Sequence, residues 1–199
     1  MVNGIFAHGY IRNLTRKDIM KQTLAMLIIC FSFSVLASAK PNRADSIPVN
    51  QKDTESIDAI VAALYDVISG PAGEKRNWDR MRTLFLQEGK LMATGKKADG
   101  TMGKRVMTPE EYILTSGPFL EKDGFFEREI GRKTEQYGCV AHVFSTYDSK
   151  RTLQDAKPFM RGINSIQLWF DGKRWWIVSV FWQAETPDNP IPEKYLEKN

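Results

Sequence analysis

The sequence predicts an α+β domain in which a cone-like, curved antiparallel sheet of four to six strands wraps around three N-terminal helices. Apolar residues recur at helical spacing in the first half of the chain, and β-rich runs follow Asp123 in the second half. Helices followed by antiparallel strands are typical of the α+β class. The length of 199 residues and the apolar content of 42% are those of one globular domain.

Residues 1–39 are predicted to be a signal peptide. Basic residues precede the apolar run 24–36, and Ala37-Ser38-Ala39 supplies the small residues at which a signal peptidase cuts. The apolar run is shorter than the roughly 20 residues that span a bilayer. We therefore expect cleavage before Lys40 and export to the periplasm or the exterior, with no stable membrane insertion. An uncleaved anchor is the alternative, and translation could start at Met1 or Met20.

Removal of the signal peptide changes the charge of the chain. The full chain has a net charge of +4 at pH 7 and a pI of about 9.0, which would favour nucleic acid as a partner. The signal peptide holds four of the 28 basic and one of the 24 acidic residues, which leaves 24 against 23 and a net charge of +1. We therefore expect no nucleic-acid partner.

The mature chain is predicted to consist of a linker, one domain and a tail. Residues 40–53 are polar and lack periodicity, as expected of a flexible linker. The domain extends over residues 54–185. Residues 186–199 form a C-terminal tail whose three prolines exclude a central strand.

Three helices are predicted before Gly117. The first carries apolar residues at helical spacing from Ile57 to Ile68, with Asp53 or Thr54 as its N-cap. The second follows Asn77 as N-cap. The third starts at residues 108–111, Thr-Pro-Glu-Glu, which combine a capping box with proline at the first helical position.

The remaining segments predict strands. A short strand at residues 90–94 precedes a glycine-rich turn at 95–103, whose spacing does not match a phosphate-binding loop, so a basic hairpin tip is expected. A long polar connection, residues 148–160, divides the later strands. These later strands are predicted at residues 125–136, 137–147, 162–170 and 175–182.

The last two strands are predicted to form a hairpin through a two-residue Asp171-Gly172 turn. This turn would place Leu168 opposite Trp175 and Asn164 opposite Ser179. One face would then be apolar and meet the helices, and it would include Trp175, Ile177 and Phe181. The other face would present Trp169, Trp176 and Trp182. A four-residue loop would keep the same two faces, whereas a bulged three-residue loop would exchange the faces of one strand.

This order of elements, with the segment RGINSIQLWFDGKRWWIVSVFWQAE at 161–185, resembles the nuclear transport factor 2-like (SnoaL-like, ketosteroid isomerase-like) superfamily. Within it, the chain is most similar to exported bacterial members of unassigned function. The resemblance covers residues 54–185. It implies a conical α+β fold with an internal pocket, and a homodimer formed through the sheet face. The superfamily includes isomerases, dehydratases, cyclases and protein-binding modules, so several activities remain open.

The catalytic groups of the superfamily have few counterparts here. Ketosteroid isomerase-like members use an acidic base on the strand after the second helix, but residues 90–94 contain no carboxylate, and Asp99 lies in the glycine-rich turn. Dehydratase-like members use a histidine, and His142 is the only histidine of the mature chain. His142 is thus the one weak catalytic candidate, and a structural or exposed histidine is the other interpretation.

The candidate pocket residues combine phenols, amides and aromatic walls. Asn164 and Ser179 either hydrogen-bond to each other or line a cavity with polar spots. Arg161 either pairs with Glu185 across the hairpin or binds an anion at the mouth of the cone. Further candidates are Tyr65, Tyr112, Trp175 and Phe181.

No metal site or cofactor is expected. Cys139 and His142 lie on one predicted strand, but one cysteine and one histidine fall short of a metal ligand set. Cys139 lacks a neighbouring base, so we predict a buried, inert thiol.

The leading hypothesis is therefore an exported homodimer that binds a small apolar or amphipathic ligand, without an assignable catalytic constellation. An isomerase, dehydratase or cyclase using His142 with tyrosine donors is the first alternative. A protein-interaction or scaffold module is the second.

Overall fold

The computed structural model describes residues 47–197. The predicted signal peptide, residues 1–39, lies outside the described residues, as does the first part of the predicted linker. Within residues 47–197, no helix is both long enough and apolar enough to cross a bilayer.

Six strands form one curved mixed sheet in the order β2-β1-β6-β5-β4-β3. All neighbouring strands are antiparallel except β1 and β6, which are parallel. The predicted α+β class and curved sheet are confirmed, and this parallel pair is the one departure from an antiparallel sheet. The pair can form because the intervening chain is long enough for the crossover that parallel strands require. The strands are β1 (Phe85–Lys96), β2 (Met102–Met107), β3 (Phe126–Tyr137), β4 (Val140–Lys150), β5 (Met160–Phe170) and β6 (Trp175–Ala184).

Four α-helices cover one face of this sheet: α1 (Ile57–Ile68), α2 (Trp78–Leu84), α3 (Pro109–Thr115) and α4 (Gly117–Asp123). The predicted caps at Asn77 and Thr108 are present, the latter as a full capping box. Ser56 caps α1 instead of Asp53 or Thr54, because its side chain accepts from the Ala59 amide. Helix α4 follows α3 where we predicted an end, since proline is compatible with the first turn of a helix.

The hydrophobic core lies between the helices and the inner face of the sheet. Ile60 and Leu64 of α1 meet Ile166 and Leu168 of β5 and Ile177 of β6, and all of them are buried. Full burial of such a side chain contributes about 1.5–3 kcal/mol. The alternation of buried and exposed residues in β5 follows from this one-sided packing.

The predicted linker extends too far into the chain. Residues Gln51–Asp53 form a 3-10 helix, and the carboxylate of Asp53 is buried against the guanidinium of Arg80, with Nε at 2.7 Å from Oδ2. The carbonyl of Thr54 accepts from the Trp175 amide at 2.9 Å. These contacts attach the segment to α2 and β6, so the packed domain begins before residue 54.

The β5–β6 hairpin differs from its predicted register. Its loop has four residues, because Phe170 pairs with Trp175, and a bulge at Val178 follows, since Leu168 pairs with Ile177 but Gln167 with Ser179. One extra residue turns all later side chains of a strand to the opposite face. The predicted inward positions of two β6 residues, Ser179 and Phe181, are therefore wrong, and the predicted outward position of Trp182 is wrong as well.

The β3–β4 turn exposes the thiol that we predicted to be buried. Cys139 lies directly after Gly138, which has a φ of +56°, in the two-residue turn between the strands. A turn at this point leaves the Cys139 side chain outside the sheet. The prediction placed Cys139 within a strand, where a neighbouring element would have covered it.

The C-terminal tail folds back onto the outer face of β3 and β4. The Tyr195 carbonyl accepts from the Thr146 hydroxyl at 2.6 Å, and the Arg132 amide donates to the Glu197 carbonyl at 3.0 Å. The Tyr195 ring packs edge-on against Phe144 with centroids 4.9 Å apart. The tail continues no strand, as predicted, and it covers one part of the outer face.

Candidate functional site

A cavity of about 210 Å³ lies between the inner face of the sheet and helices α1, α3 and α4. Its wall is mostly apolar, with contributions from Leu64, Leu91 and Val180. The residues with polar side chains that line it include Glu127, Tyr112, Tyr147 and Asn164. An apolar cavity with a few convergent polar groups is typical of a small-molecule site.

Glu127 of β3 provides the only carboxylate among the described residues that line this cavity. It pairs with Ser149 of β4, and the Ser149 hydroxyl donates to Glu127 Oε2 at 2.9 Å. Asn164 Nδ2 lies 3.4 Å from Glu127 Oε1. Burial raises the pKa of Glu127 to about 7, the two hydrogen bonds oppose this rise, and the nearby charge of Asp148 adds to it. This carboxyl therefore exchanges a proton near neutral pH.

The phenol of Tyr65 belongs to a hydrogen-bonded chain beside the cavity. Its hydroxyl lies 2.7 Å from Ser145 Oγ and accepts from Asn164 Nδ2 at 3.1 Å. Ser145 donates to Glu129 Oε2 at 2.8 Å, and Glu129 in turn pairs with Arg132 at 2.9 Å. Burial, the largest cause, raises the pKa of Tyr65, so the phenol remains neutral.

Tyr147 differs from Tyr65 in the hydrogen bonding of its hydroxyl. Its side chain is 1% exposed, and within the described part of the chain its hydroxyl has no hydrogen-bond partner. The ring fits because its neighbour on β5 is Gly162, where a Cβ would collide with the Tyr147 hydroxyl. Burial raises the pKa of Tyr147, and the charge of Glu127, which lines the same cavity, raises it further.

Aromatic rings complete the wall. Tyr112 of α3 and Trp182 of β6 meet edge to face, with centroids 6.4 Å apart and planes at 87°. Phe125 lines the same cavity. Burial and then the charge of Glu127 raise the pKa of Tyr112. Trp182 reaches this position only because the bulge at Val178 turns it inward.

A second, open groove of about 480 Å³ adjoins the cavity between α1 and β3. Glu127 lines both spaces, whereas Tyr65 lines only the groove. The guanidinium groups in the groove have carboxylate partners, with Arg128 on Asp148 at 2.9 Å and Arg132 on Glu129. Glu127 thus stands at the boundary between the groove and the cavity.

Of the predicted pocket residues, Tyr112 and Asn164 line this cavity. Tyr65 lines the adjoining groove, where its hydroxyl accepts a hydrogen bond from Asn164. Trp175 faces inward as predicted, but it lies at the far end of β6 beside Ile57 and Thr134 rather than in this cavity. Asn164 does not pair with Ser179, since Ser179 and Phe181 lie on the outer face. Phe181 is 43% exposed there.

His142 also lies on the outer face. Its neighbours Ala141 and Val143 are buried on the inner side of β4, and strand alternation directs the imidazole away from the cavity. His142 Nε2 lies 3.1 Å from Ser165 Oγ. His142 therefore lies outside the cavity, on the face opposite to the one that the alternative with His142 as the base requires.

Arg161 forms the cross-strand ion pair with Glu185, with Nε 3.5 Å from Oε2. The Glu185 amide also donates to the Arg161 carbonyl at 2.8 Å. This arrangement agrees with the ion-pair interpretation of Arg161. Within residues 47–197, no group of three or more His, Cys, Asp or Glu is arranged to hold a metal ion.

Sequence reasoning missed Glu127 and Tyr147. The alternation Glu127-Arg128-Glu129 already indicated that two carboxylates share one face of β3. The pairing with β4 was needed to show that this face is the inner one, because Glu127 is opposite Ser149 and Glu129 opposite Tyr147. Mixed charges in a strand otherwise suggest a solvated face.

No protein-family model matches the chain, and no curated protein matches it. Solved structures similar to this chain include a protein of unknown function with a cystatin-like fold from Nostoc punctiforme, at 14% identity and a TM-score of 0.48, covering 66% of this chain and 90% of that chain. An NTF-2 like protein of unknown function from Silicibacter pomeroyi has 13% identity and a TM-score of 0.44, covering 66% and 94%.

A proposed ketosteroid isomerase from Shewanella frigidimarina is also similar, at 13% identity and a TM-score of 0.42, covering 62% of this chain and 91% of that chain. Several of the similar solved structures are described as NTF2-like proteins or as ketosteroid isomerases. At these identities the likeness concerns the fold alone.

Proposed function

We propose that the inner cavity binds a small, largely apolar molecule that carries one polar group. The observation that supports this most is Tyr147, whose side chain lines the cavity and whose buried hydroxyl lacks a partner among the described residues. A buried hydroxyl without a partner costs about 1–3 kcal/mol. A polar group on a ligand would remove this cost while its apolar part fills the cavity.

The volume of the cavity limits the size of the ligand that it can hold. An apolar cavity of about 150 Å³ holds a benzene molecule, and drug-sized ligands occupy about 300–1,000 Å³. The cavity of about 210 Å³ therefore suits a substituted single ring or a short branched chain.

The test is thermal unfolding and calorimetry with a panel of single-ring compounds. Binding raises the melting temperature, because the ligand stabilises only the folded state. Val180→Phe fills the cavity and should abolish the shift, whereas Val178→Phe, on the outer face of the same strand, should retain it.

Far-UV circular dichroism establishes that Val180→Phe is folded. Tyr147→Phe provides a second variant that keeps the shape and removes only the hydroxyl. An absence of any shift or heat across the panel would contradict the proposal.

A second candidate is an enzyme that transfers a proton between carbon and oxygen. Glu127, with a pKa near 7, is suited to remove a proton from a carbon next to a carbonyl group. The Tyr147 hydroxyl would donate a hydrogen bond to the carbonyl oxygen as negative charge develops there. This candidate replaces His142 with Glu127 as the base.

Proton exchange measures this activity directly. Small ketones incubated with the protein in D₂O should incorporate deuterium faster than in buffer, as followed by NMR. Glu127→Gln should reduce the rate to that of buffer. Equal rates for the wild type and this variant would exclude proton transfer by Glu127.

We propose that the outer face of the sheet pairs with a second copy of the chain. Trp169, Val178 and Phe181 are exposed there at 38%, 36% and 43%. Apolar residues clustered on one face favour an interface. Light scattering after size exclusion should give twice the monomer mass, and Phe181→Asp should give a monomer. A monomeric wild type would instead favour a scaffold that binds another protein.

We further propose that the chain is exported and cleaved before Lys40. The support is the basic segment, apolar run and Ala37-Ser38-Ala39 motif of the sequence. The intact mass of the protein recovered from the extracytoplasmic fraction should correspond to residues 40–199. A mass that includes residues 1–39 would contradict cleavage.

A further inference from the structure

The charge of the cavity restricts the ligand more than its volume does. Glu127 is an acidic residue, and none of the described residues that line the cavity is lysine, arginine or histidine. In the described part of the chain, Glu127 has no salt bridge, because the nearby cations are used elsewhere. Arg128 pairs with Asp148, and Lys150 donates to the Asp155 carbonyl at 2.6 Å.

The hydrogen bonds of Glu127 prepare its carboxylate to accept from a ligand. Ser149 donates to one oxygen, and the amide of Asn164 faces the other. Donors from two strands favour the anionic form, and each carboxylate oxygen can accept a further bond. The Tyr147 hydroxyl oxygen is a second acceptor without a partner in the described residues.

The rings around the carboxylate also suit a cation. Tyr112, Phe125, Tyr147 and Trp182 all line the cavity. The face of an aromatic ring attracts a cation electrostatically, by about 0.5–2 kcal/mol depending on its desolvation. A carboxylate within an aromatic wall therefore offers both parts of an ammonium site.

We propose that the ligand is a small organic amine, bound as its ammonium ion, with Glu127 as counter-ion and the Tyr147 hydroxyl as hydrogen-bond acceptor. This inference rests on the proposed function and names its ligand class. The apolar part of the amine fills the space beside Leu64 and Val180. A carboxylate ligand would be repelled by Glu127, and a neutral ligand would leave this charge without a partner.

The affinity for the amine should depend on pH. In the empty cavity Glu127 has a pKa of about 7, so below pH 7 binding must displace its proton. The affinity should then fall about tenfold for each pH unit below 7 and remain constant just above it. The titratable groups that interact with Glu127 are Tyr65 of α1, Tyr112 of α3, and Tyr147 and Asp148 of β4. On the groove side, the charged residues that line the same space are Asp66, Arg128, Glu129, Arg132 and Lys150.

The three phenols of this set remain neutral in this range, because burial raises the pKa of each. Glu127 is thus the group whose protonation the pH profile would report. Glu127→Gln should remove the profile, since a glutamine does not titrate.

The experiment compares three compounds of nearly equal shape, benzylamine, benzyl alcohol and benzoate, by calorimetry at pH 6 and pH 8. The amine should bind at least tenfold more tightly than the alcohol at pH 8, and benzoate should not bind. Glu127→Gln should abolish this preference while binding of the alcohol persists. Glu135→Gln, an exposed acidic residue of the same strand, serves as the matched control and should retain the preference.

The outcomes separate the two proposals. Binding of the alcohol at least as tight as that of the amine, or tighter binding of benzoate, would overturn the amine proposal and leave the proposed function intact. An amine preference that survives in Glu127→Gln would also overturn it. Binding of none of the three compounds would overturn the amine proposal, and the wider panel would then decide the proposed function.

Discussion

The hydroxyl of Tyr65 on α1 lies 2.7 Å from the hydroxyl of Ser145 on β4, a residue 80 positions later in the chain. Because Ser145 donates to Glu129, Tyr65 must donate to Ser145 and accept from Asn164. The donor order along this chain is therefore determined. Tyr65 is a phenol with its hydrogen bonds satisfied, whereas the Tyr147 hydroxyl has no partner among the described residues.

This contrast predicts opposite effects for two identical substitutions. Tyr65→Phe removes the donor to Ser145 Oγ and the acceptor of the shorter Asn164 Nδ2 hydrogen bond, and it should lower the free energy of unfolding by about 1–3 kcal/mol. Tyr147→Phe removes a hydroxyl without a partner, so the free energy of unfolding should stay equal or rise by about 1 kcal/mol. Denaturant unfolding measures both.

Both substitutions remove one hydroxyl from a buried side chain. A difference between the two variants therefore reports the hydrogen bonds of that hydroxyl. A loss of stability in Tyr147→Phe as large as that in Tyr65→Phe would show that the Tyr147 hydroxyl has a partner in solution. Ligand binding to Tyr147→Phe should also weaken, in contrast to its unchanged stability.

The raised pKa of Glu127 predicts that the free energy of unfolding depends on pH. Its pKa is raised from 4.5 to about 7, so between these values the folded state holds a proton that the unfolded state releases. The free energy of unfolding therefore falls as pH rises through this window, by about 3 kcal/mol in all. Above pH 7 the loss is complete.

Glu127→Gln should lack this loss, because glutamine has no proton to release. The difference in the free energy of unfolding between Glu127→Gln and the wild type should increase in favour of the variant from pH 4.5 to pH 7. Urea unfolding at several pH values measures it. Parallel profiles for the two proteins would show that the pKa of Glu127 is not raised.

The buried guanidinium of Arg76 predicts a large loss of stability. It donates to the carbonyl of Gly70, just after α1, at 2.5 Å and to the carbonyl of Leu120, within α4, at 2.9 Å. It also donates to three further carbonyls. Arg76→Ala removes the donors to these five carbonyls and should lower the free energy of unfolding by more than about 3 kcal/mol. Thermal or urea unfolding measures it.

Two variants accompany this test. Arg76→Lys should recover only part of the loss, since an ammonium has three donors and cannot serve all of these carbonyls. Lys157→Ala, an exposed residue, should change stability by less than about 0.5 kcal/mol. A loss in Arg76→Ala no larger than this control would contradict the role of the guanidinium.

The close contact between Gly131 and the C-terminal tail predicts that this glycine is needed for the tail to pack on β3. A Cβ at this position would overlap the Tyr195 carbonyl and Leu196, so Gly131→Ala should displace the tail from β3. Hydrogen exchange at residues 186–197 should accelerate, and stability should fall by about 1–2 kcal/mol.

Gly95→Ala is the matched control, because nothing lies within 4 Å of a Cβ at that strand position. It should leave both hydrogen exchange in the tail and stability unchanged. Unaltered exchange in Gly131→Ala would mean that the tail does not rest on β3 in solution.

Local signals predicted the helices well and the faces of the sheet poorly. Asn77 and Thr108 cap their helices as predicted, because a cap depends only on residues within one turn. After Val178, the side chains of β6 lie on the faces opposite to those predicted. The reason is one extra residue in β6, which its pairing with both β5 and β1 accommodates. No pattern within β6 itself reports such a bulge.

By itself, the sequence determined the α+β class, the order of the elements and the apolar core of α1, because periodicity, caps and turns act over a few residues. Only the tertiary structure decided which side chains share the cavity. Glu127, Tyr147 and Trp182 converge there through strand pairing and two register shifts, at Ile130 and Val178. Contacts between residues distant in the chain set these registers, and the chemistry of the site depends on them.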